Sequence, residues 1–291
     1  MSTIVEAAAP AARVAARAPR GPWLAHAALV LLSLAMLAPL VWMLRTAFTP
    51  SDEVFRATLA LLPERVTLAN FPLAFRLHPV ALWLVNSVVV AGAITLGKLA
   101  LAVPAAFAFA HLRFKGRGAL FALIVGTMTV PYVVTLIPVY LAVVRVGLYD
   151  TQAGVVLPSI AFCGFAIFFL RQAFLVLPQE LFDAAALDGA GPWRMLWSVA
   201  LPNVLPAIAS LAVLSFLGAW NLYLWPHLIL DDHARKTLSI GIKLFATVQE
   251  QEQQWGALMA AALAGVVPVL VVFVAAQRYL IAAFVSSGVK G

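Results

Sequence analysis

Six long, predominantly apolar stretches separated by short polar segments constrain this chain more than any other feature. A helix that crosses the hydrocarbon core of a bilayer needs about 20 such residues. The stretches run Trp23–Thr46, Leu82–Ala110, Ala119–Val144, Gly154–Phe174, Leu205–Leu230 and Gly256–Leu280, and each is long enough. In lipid every backbone N–H and C=O must find a partner inside the protein, which favours helices. The expected fold class is therefore an all-α membrane protein of about six transmembrane helices. Composition agrees: 64% of residues are hydrophobic and 11% are charged, against roughly 25% charged in soluble domains.

The spans absorb most of the 291 residues, so no separate soluble domain is expected. The chain divides into an N-terminal tail (1–22), a transmembrane body (23–285) and a short C-terminal tail (286–291). Arg13, Arg17 and Arg20 ahead of an apolar run resemble a signal peptide, but the run from Trp23 continues to about Phe48. That is too long for a signal-peptide core, and an uncleaved first span is expected. An even number of spans puts both termini on one side. Lys and Arg favour cytoplasmic loops, and placing the termini inside gives the cytoplasmic segments a small excess of them. His111, Arg113, Lys115 and Arg117 crowd one short loop on that side, while the next loop out, from Val146 to Ala153, has no Lys or Arg. Pro104, Pro131, Pro138, Pro158, Pro206 and Pro226 fall within the apolar stretches. Proline is tolerated at membrane depth where neighbouring helices or a wet cavity satisfy the freed carbonyls.

Between the fourth and fifth spans lies a polar segment, residues 177–202. Pro178 suits a first helical turn, Glu180 complements the positive helix start, and Gly189 suits the left-handed residue that ends a helix. A helix of about three turns is expected, then a restart at Pro192. Trp193, Leu196, Trp197 and Ala200 follow at the spacing of an amphipathic helix lying on the membrane surface. Ala184-Ala185-Ala186 would let another surface approach closely. From the residues alone, an interfacial connector without a partner and a docking loop both remain open.

The same segment resembles the EAA motif of the membrane subunits of bacterial ABC importers: Glu-Ala-Ala, three residues, Gly, nine residues, Ile-x-Leu-Pro. Here the string is Asp183-Ala184-Ala185, three residues, Gly189, nine residues, Val199-Ala200-Leu201-Pro202. The spacing is kept, and aspartate for the leading glutamate is the main departure. Further pieces resemble the carbohydrate-uptake branch, including its maltose-type second permease and its glycerol-3-phosphate members: Leu187-Asp188-Gly189-Ala190, Ala219-Trp220-Asn221 with Leu224-Trp225-Pro226, Thr237-Leu238, Trp255-Gly256 with Met259-Ala260-Ala261, Gln277-Arg278-Tyr279, and the terminal Gly288-Val289-Lys290-Gly291.

The resemblance implies a type I importer transmembrane domain in a bacterial inner membrane, paired with a different second permease. It also implies two cytoplasmic ATPase subunits that hold ATP and magnesium, and an extracytoplasmic solute-binding protein. The permease binds no cofactor of its own, and a sugar or sugar-like solute is implied. Glu180, Asp183, Ala184, Ala185, Asp188, Gly189, Leu201 and Pro202, with Lys290 and Gly291, are then the residues expected to couple to the ATPase.

Lys98 stands out on different grounds. A charge near mid-bilayer costs about 2.5–3.5 kcal/mol on insertion scales, so such residues face protein or a wet cavity. Ala91, Thr95, Ala102 and Ala105 share its helical face, a small-residue stripe suited to a bundle interior. Both a paired or snorkelling lysine and a cation on the solute path fit this pattern. Trp220, Asn221 and Tyr223 are the other candidates for the path.

Other classes fit poorly. Gly92 to Lys98 reads G-x-x-x-x-G-K, but Leu99 stands where a magnesium-binding Ser or Thr belongs, and no strand precedes it. The histidines have no metal-ligand spacing, and no paired acids or nucleophile triad are evident. Cys163 is single and has no disulfide partner. The net charge of +7 reads as loop topology and lipid contact rather than nucleic-acid binding. A self-sufficient transporter or channel would be expected to carry ionisable residues inside its spans, and only Lys98 and Arg171 qualify.

Overall fold

The computed structural model describes residues 22–54, 63–252 and 254–288. Among the described residues four helices are long and apolar enough to cross a membrane alone, and two bent pairs, each taken as one span, bring the number to six. The first span is α1 (Pro22–Ala47), followed by a short α2 (Asn70–Leu77) and the long α3 (Val80–His111). α1 packs chiefly against the last helix, α13 (Trp255–Gly288). Most of its Leu, Val and Trp side chains are exposed, as befits a helix whose solvent is hydrocarbon.

The third and fourth apolar stretches are not the single helices expected from sequence. Residues 119–144 are divided between α4 (Arg117–Thr127) and α5 (Tyr132–Arg145), which meet at 97°. Pro131 caps α5 at ψ 132°, and its ring disfavours helical geometry at Val130. Residues 154–174 are divided between α6 (Gln152–Ala161) and α7 (Gly164–Leu175), bent by 45°.

The fifth stretch also differs from expectation. α8 (Gln179–Leu187) is the expected cytoplasmic helix. The chain then enters α9 (Pro192–Arg194), a π-helical stretch (Met195–Ala200) and α10 (Leu201–Trp220), which together run unbroken over Pro192–Trp220. So there is no separate surface helix before the span. Pro202 cannot donate to the Ser198 carbonyl and crowds the turn before it. Opening that turn to i→i+5 bonding accommodates the ring. The wider turn also splits the expected amphipathic stripe. Leu196 and Ala200 are buried, while Trp193 and Trp197 face outward at 66% and 59% exposure. Beyond Trp220 the chain breaks, and Leu224–Ile229 forms a separate short helix, α11.

Neither α2 nor α12 (Leu238–Glu252) was expected from sequence. They cover one end of the bundle, where Ala47, Ala74, Val80, Trp83, Phe245 and Ala257 form a common core. There Asn70 Nδ2 donates to the carbonyls of Ala47 (2.9 Å) and Thr49 (2.8 Å), satisfying orphan acceptors at the end of α1. A second network holds the nearby loops. Trp83 Nε1 donates to His233 O, Asn86 Nδ2 to Ala234 O and Lys236 O, and Gln152 Nε2 to Asn86 Oδ1. Asp150, left-handed at φ 54°, accepts from the amides of Asp231 and Asp232 and from Arg235. Burial alone would raise the Asp150 carboxyl, but those two amides, with the charges of Arg235 and Lys236, outweigh it and hold the group below its ordinary value.

The opposite end is built on α3, which packs most extensively against α7 and α10. Phe107, Phe174, Phe182, Leu196, Ala200 and Val204 are buried together there. α1 ends, and α3 and α13 begin, at the Asn70 end, so the start of α1 and the end of α13 lie on the α8 side.

Candidate functional site

Two places carry the residues singled out from sequence. The first is α8. Pro178 caps it in extended geometry, and Glu180 lies in its first turn. The helix ends in a Schellman motif: Gly189 N donates to Ala186 O (3.0 Å) and Ala190 N to Ala185 O (2.9 Å), with Gly189 at φ 73°. Asp188 is the C-cap. Glu180, Asp183, Ala184, Ala186 and Asp188 are exposed and Ala185 is half-buried, so the alanine face is open. Asp183 Oδ1 accepts from Gln179 Nε2 at 3.2 Å on the same helix. Leu201 and Pro202 stand at the head of α10, just past the π-helical stretch. Lys290 and Gly291 lie outside the described residues.

The second place is a cavity of about 810 Å³ bordered by α3, α5, α6, α7 and α10, with Thr127 of α4 and Trp225 of α11. It lies where the spans are broken: its wall includes Thr127, Met128, Val130 and Tyr132 at the first bend, Ala161, Phe162 and Gly164 at the second, and Gly218, Ala219 and Leu222 where α10 ends. Irregular backbone at membrane depth is tolerated where it lines such a space. Met128, Tyr132, Phe165 and Leu214 line the cavity yet are exposed, so it is open on one side.

Lys98 is the one charged residue in that lining. It is half-buried, and among the described residues it makes no hydrogen bond or ion pair. Of its small-residue face, Ala91 and Ala102 are fully buried, Thr95 is at 7% exposure and Ala105 is half-buried. The G-x-x-x-x-G-K string lies wholly inside α3. Arg171, by contrast, is used structurally: its Nε donates to Phe109 O at 3.1 Å and its guanidinium lies 4.2 Å from the Phe121 ring centroid.

Trp220, Asn221 and Tyr223 do not line this cavity; their neighbours Ala219, Leu222 and Trp225 do. Trp220 is buried against Phe216, Asn221 Nδ2 caps back to Leu217 O, and Tyr223 stacks on His227. Sequence reasoning also missed the hydroxyls in the wall: Thr127, Thr135, Ser159 and Ser215. A signal was present, because Thr127, Thr135 and Ser159 lie close in sequence to Pro131 or Pro158. These three donate to carbonyls of their own helices, at 2.6, 2.8 and 2.7 Å. Their single protons are thereby committed, and their lone pairs remain to accept from a ligand. One cation with several acceptor oxygens is a chemistry suited to a polyhydroxylated solute carrying negative charge.

The family model described as "Binding-protein-dependent transport system inner membrane component" matches residues 98–285. The chain is 32% identical to the diacetylchitobiose uptake system permease protein NgcG of Streptomyces coelicolor, covering 91% of this chain and 87% of that one. It is 34% identical to the sn-glycerol-3-phosphate transport system permease protein UgpE of Agrobacterium fabrum, covering 91% and 96%. The arabinooligosaccharides transport system permease protein AraQ of Halalkalibacterium halodurans is 31% identical, over 92% and 96%. In fold the chain is similar to a subunit of a crystallised bacterial ABC transporter that imports the acidic polysaccharide alginate, with a TM-score of 0.78, 23% identity, and coverage of 88% and 95%.

Proposed function

Since the chain belongs to the family of binding-protein-dependent transport system inner membrane components, we propose that it is one of two different permease subunits of an ABC importer for a sugar or sugar-like solute. The observation that carries this reading is α8, an exposed helix whose alanine face and Schellman-capped Gly189 belong to the Asp183-Ala184-Ala185-x3-Gly189 motif. Glu180, Asp183, Ala184, Ala185 and Asp188 meet a cytoplasmic ATPase, one of two that bind ATP and magnesium. Leu201 and Pro202 fix the helix that follows, and Lys290 and Gly291 reach the same partner. This chain does no hydrolysis itself. Its termini and α8 share a side, and that side is cytoplasmic. The cavity is half of the solute path, its open side closed by the second permease.

Three of the relatives are named for diacetylchitobiose, sn-glycerol-3-phosphate and arabinooligosaccharide uptake, and a structurally similar transporter was crystallised with a solute-loaded periplasmic protein. These support a sugar-like solute delivered by a binding protein. The unpaired Lys98 favours an anionic member of that class, such as a glycerol phosphate. The test is co-expression of this chain with the second permease and the ATPase of its importer, followed by purification and assay. ATPase recovery with the permeases, and ATP hydrolysis stimulated by the loaded binding protein, are expected. Transport that proceeds in vesicles without any ATPase would overturn the reading in favour of a self-sufficient transporter.

A further inference from the structure

α8 is seated on the membrane body through the π-helical stretch, a side-chain hydrogen bond between Gln179 and His111, and one buried ring. Phe182 is its single buried residue, at 4% exposure, while Leu181 and Asp183 on either side are exposed. The Phe182 ring enters an aromatic socket, with centroids 3.9 Å from His111 and 6.1 Å from Phe107. Phe107 meets Phe174 edge-on at 5.8 Å, and His111 Nε2 lies 3.0 Å from Phe174 O. Phe107 and His111 belong to the last two turns of α3, and Phe174 to the end of α7. α8 also lies beside the π-helical stretch, where the helix has already yielded to Pro202. α3 is a single helix from the socket to Lys98, despite Pro104. At 1.5 Å per residue, His111 and Lys98 are about 20 Å apart along it.

We propose that Phe182 is the positioning residue through which α8 drives α3, so that movement of the coupling helix reaches the cavity wall at Ile94 and Lys98. This rests on the reading of α8 as the ATPase contact. The socket is close-packed, and close-packed contacts pass on displacement rather than absorb it. The exposed alanine face of α8 binds the partner, while Phe182 on the buried face carries the stroke inward. Binding of the ATPase and coupling to it are thus assigned to different faces of one helix.

The test uses the full importer in proteoliposomes. Phe182→Ala should keep ATPase recovery and basal hydrolysis at wild-type levels, yet lose stimulation by the loaded binding protein by tenfold or more. Phe182→Leu, which restores apolar volume, should recover most of it. Phe107→Ala opens the socket from the α3 side and should uncouple alike, and the double alanine variant should be no worse than either single one, since both break one contact. Phe121→Ala, which removes a half-buried ring beside the same core and spares the socket, should remain coupled. Wild-type stimulation in Phe182→Ala, or uncoupling in Phe121→Ala equal to that in Phe107→Ala, overturns the proposal. Should Phe182→Ala fail to assemble, Phe107→Ala decides by the same criterion. A wild-type chain that recovers no ATPase would instead overturn the functional reading beneath it.

Discussion

Replacing Gly189 isolates the backbone at the end of α8 from every other effect. Gly189 sits at φ 73°, and a Cβ built there meets nothing within 4 Å. No steric clash enters, so the cost is that of holding an L-residue in the left-handed region, roughly 1–2 kcal/mol. A valine, branched at Cβ, should lie at the upper end of that range or above it. Isolated helices this short are marginal in water, and the Schellman bonds at Gly189 and Ala190 are what close this one. A loss of roughly 1–2 kcal/mol lowers the capped-to-uncapped ratio by about 5- to 30-fold. The apparent affinity for a partner that binds the capped form falls with the capped fraction, by at most that factor. Gly191 provides the control: its φ is −72° and a Cβ there also meets open space, so Gly191→Ala should be nearly neutral. Membranes holding Gly189→Val, Gly191→Ala or wild type would be titrated with purified ATPase. The expected result is intact insertion in all three and weaker ATPase binding in Gly189→Val alone. Equal affinity of the two variants would refute the reasoning.

Three further perturbations have defined outcomes. Lys98→Met removes the one charge in the cavity wall; because hydrogen bonds to charged groups contribute about 1.5–3 kcal/mol, uptake of an anionic solute should fall roughly 10- to 100-fold with complex assembly unchanged. A wild-type uptake rate would leave Lys98 a structural role only. Asn70→Leu strips the carbonyls of Ala47 and Thr49 of their buried donor and should destabilise the purified protein by about 1–3 kcal/mol, seen as a lower melting temperature in detergent. Unaltered melting would show that another donor replaces it. The Asp150 carboxyl is held below its ordinary value of 3.8, so its contribution is present above that pH and is lost as pH falls through the lower folded value. Limited proteolysis of the 231–237 loop should therefore rise in acid for the wild type, whereas Asp150→Asn should be cleaved more readily at neutral pH and show less change on acidification. An identical pH profile in both would remove Asp150 from the account.

Much of this molecule is written in local sequence, because lipid makes hydrophobic length nearly equivalent to span. The six apolar stretches, the α8 helix, its end at Gly189 and the interior face of Ala91, Thr95 and Ala102 all follow from periodicity, composition and turn chemistry over a few residues. The motif from Asp183 to Pro202 is likewise a matter of spacing. Tertiary structure alone decided how sharply each proline acts. Pro104 leaves α3 a single helix, Pro131 heads a bend of 97°, and Pro202 widens a turn into a π-helix while the span continues. The covalent defect is the same in each case, a missing donor and a crowding ring, but α3 is packed extensively against α7 and α10, whereas α4 and α5 have far fewer neighbours. The cavity follows from those bends, so its wall of Thr127, Thr135, Ser159 and Lys98 could not be assembled from residues far apart in the chain. Nor could the seat of Phe182 between α3 and α7, or the absence of Trp220 from the cavity wall: an aromatic ring reads the same in sequence whichever way it faces, and only packing against Phe107 or Phe216 assigns its side.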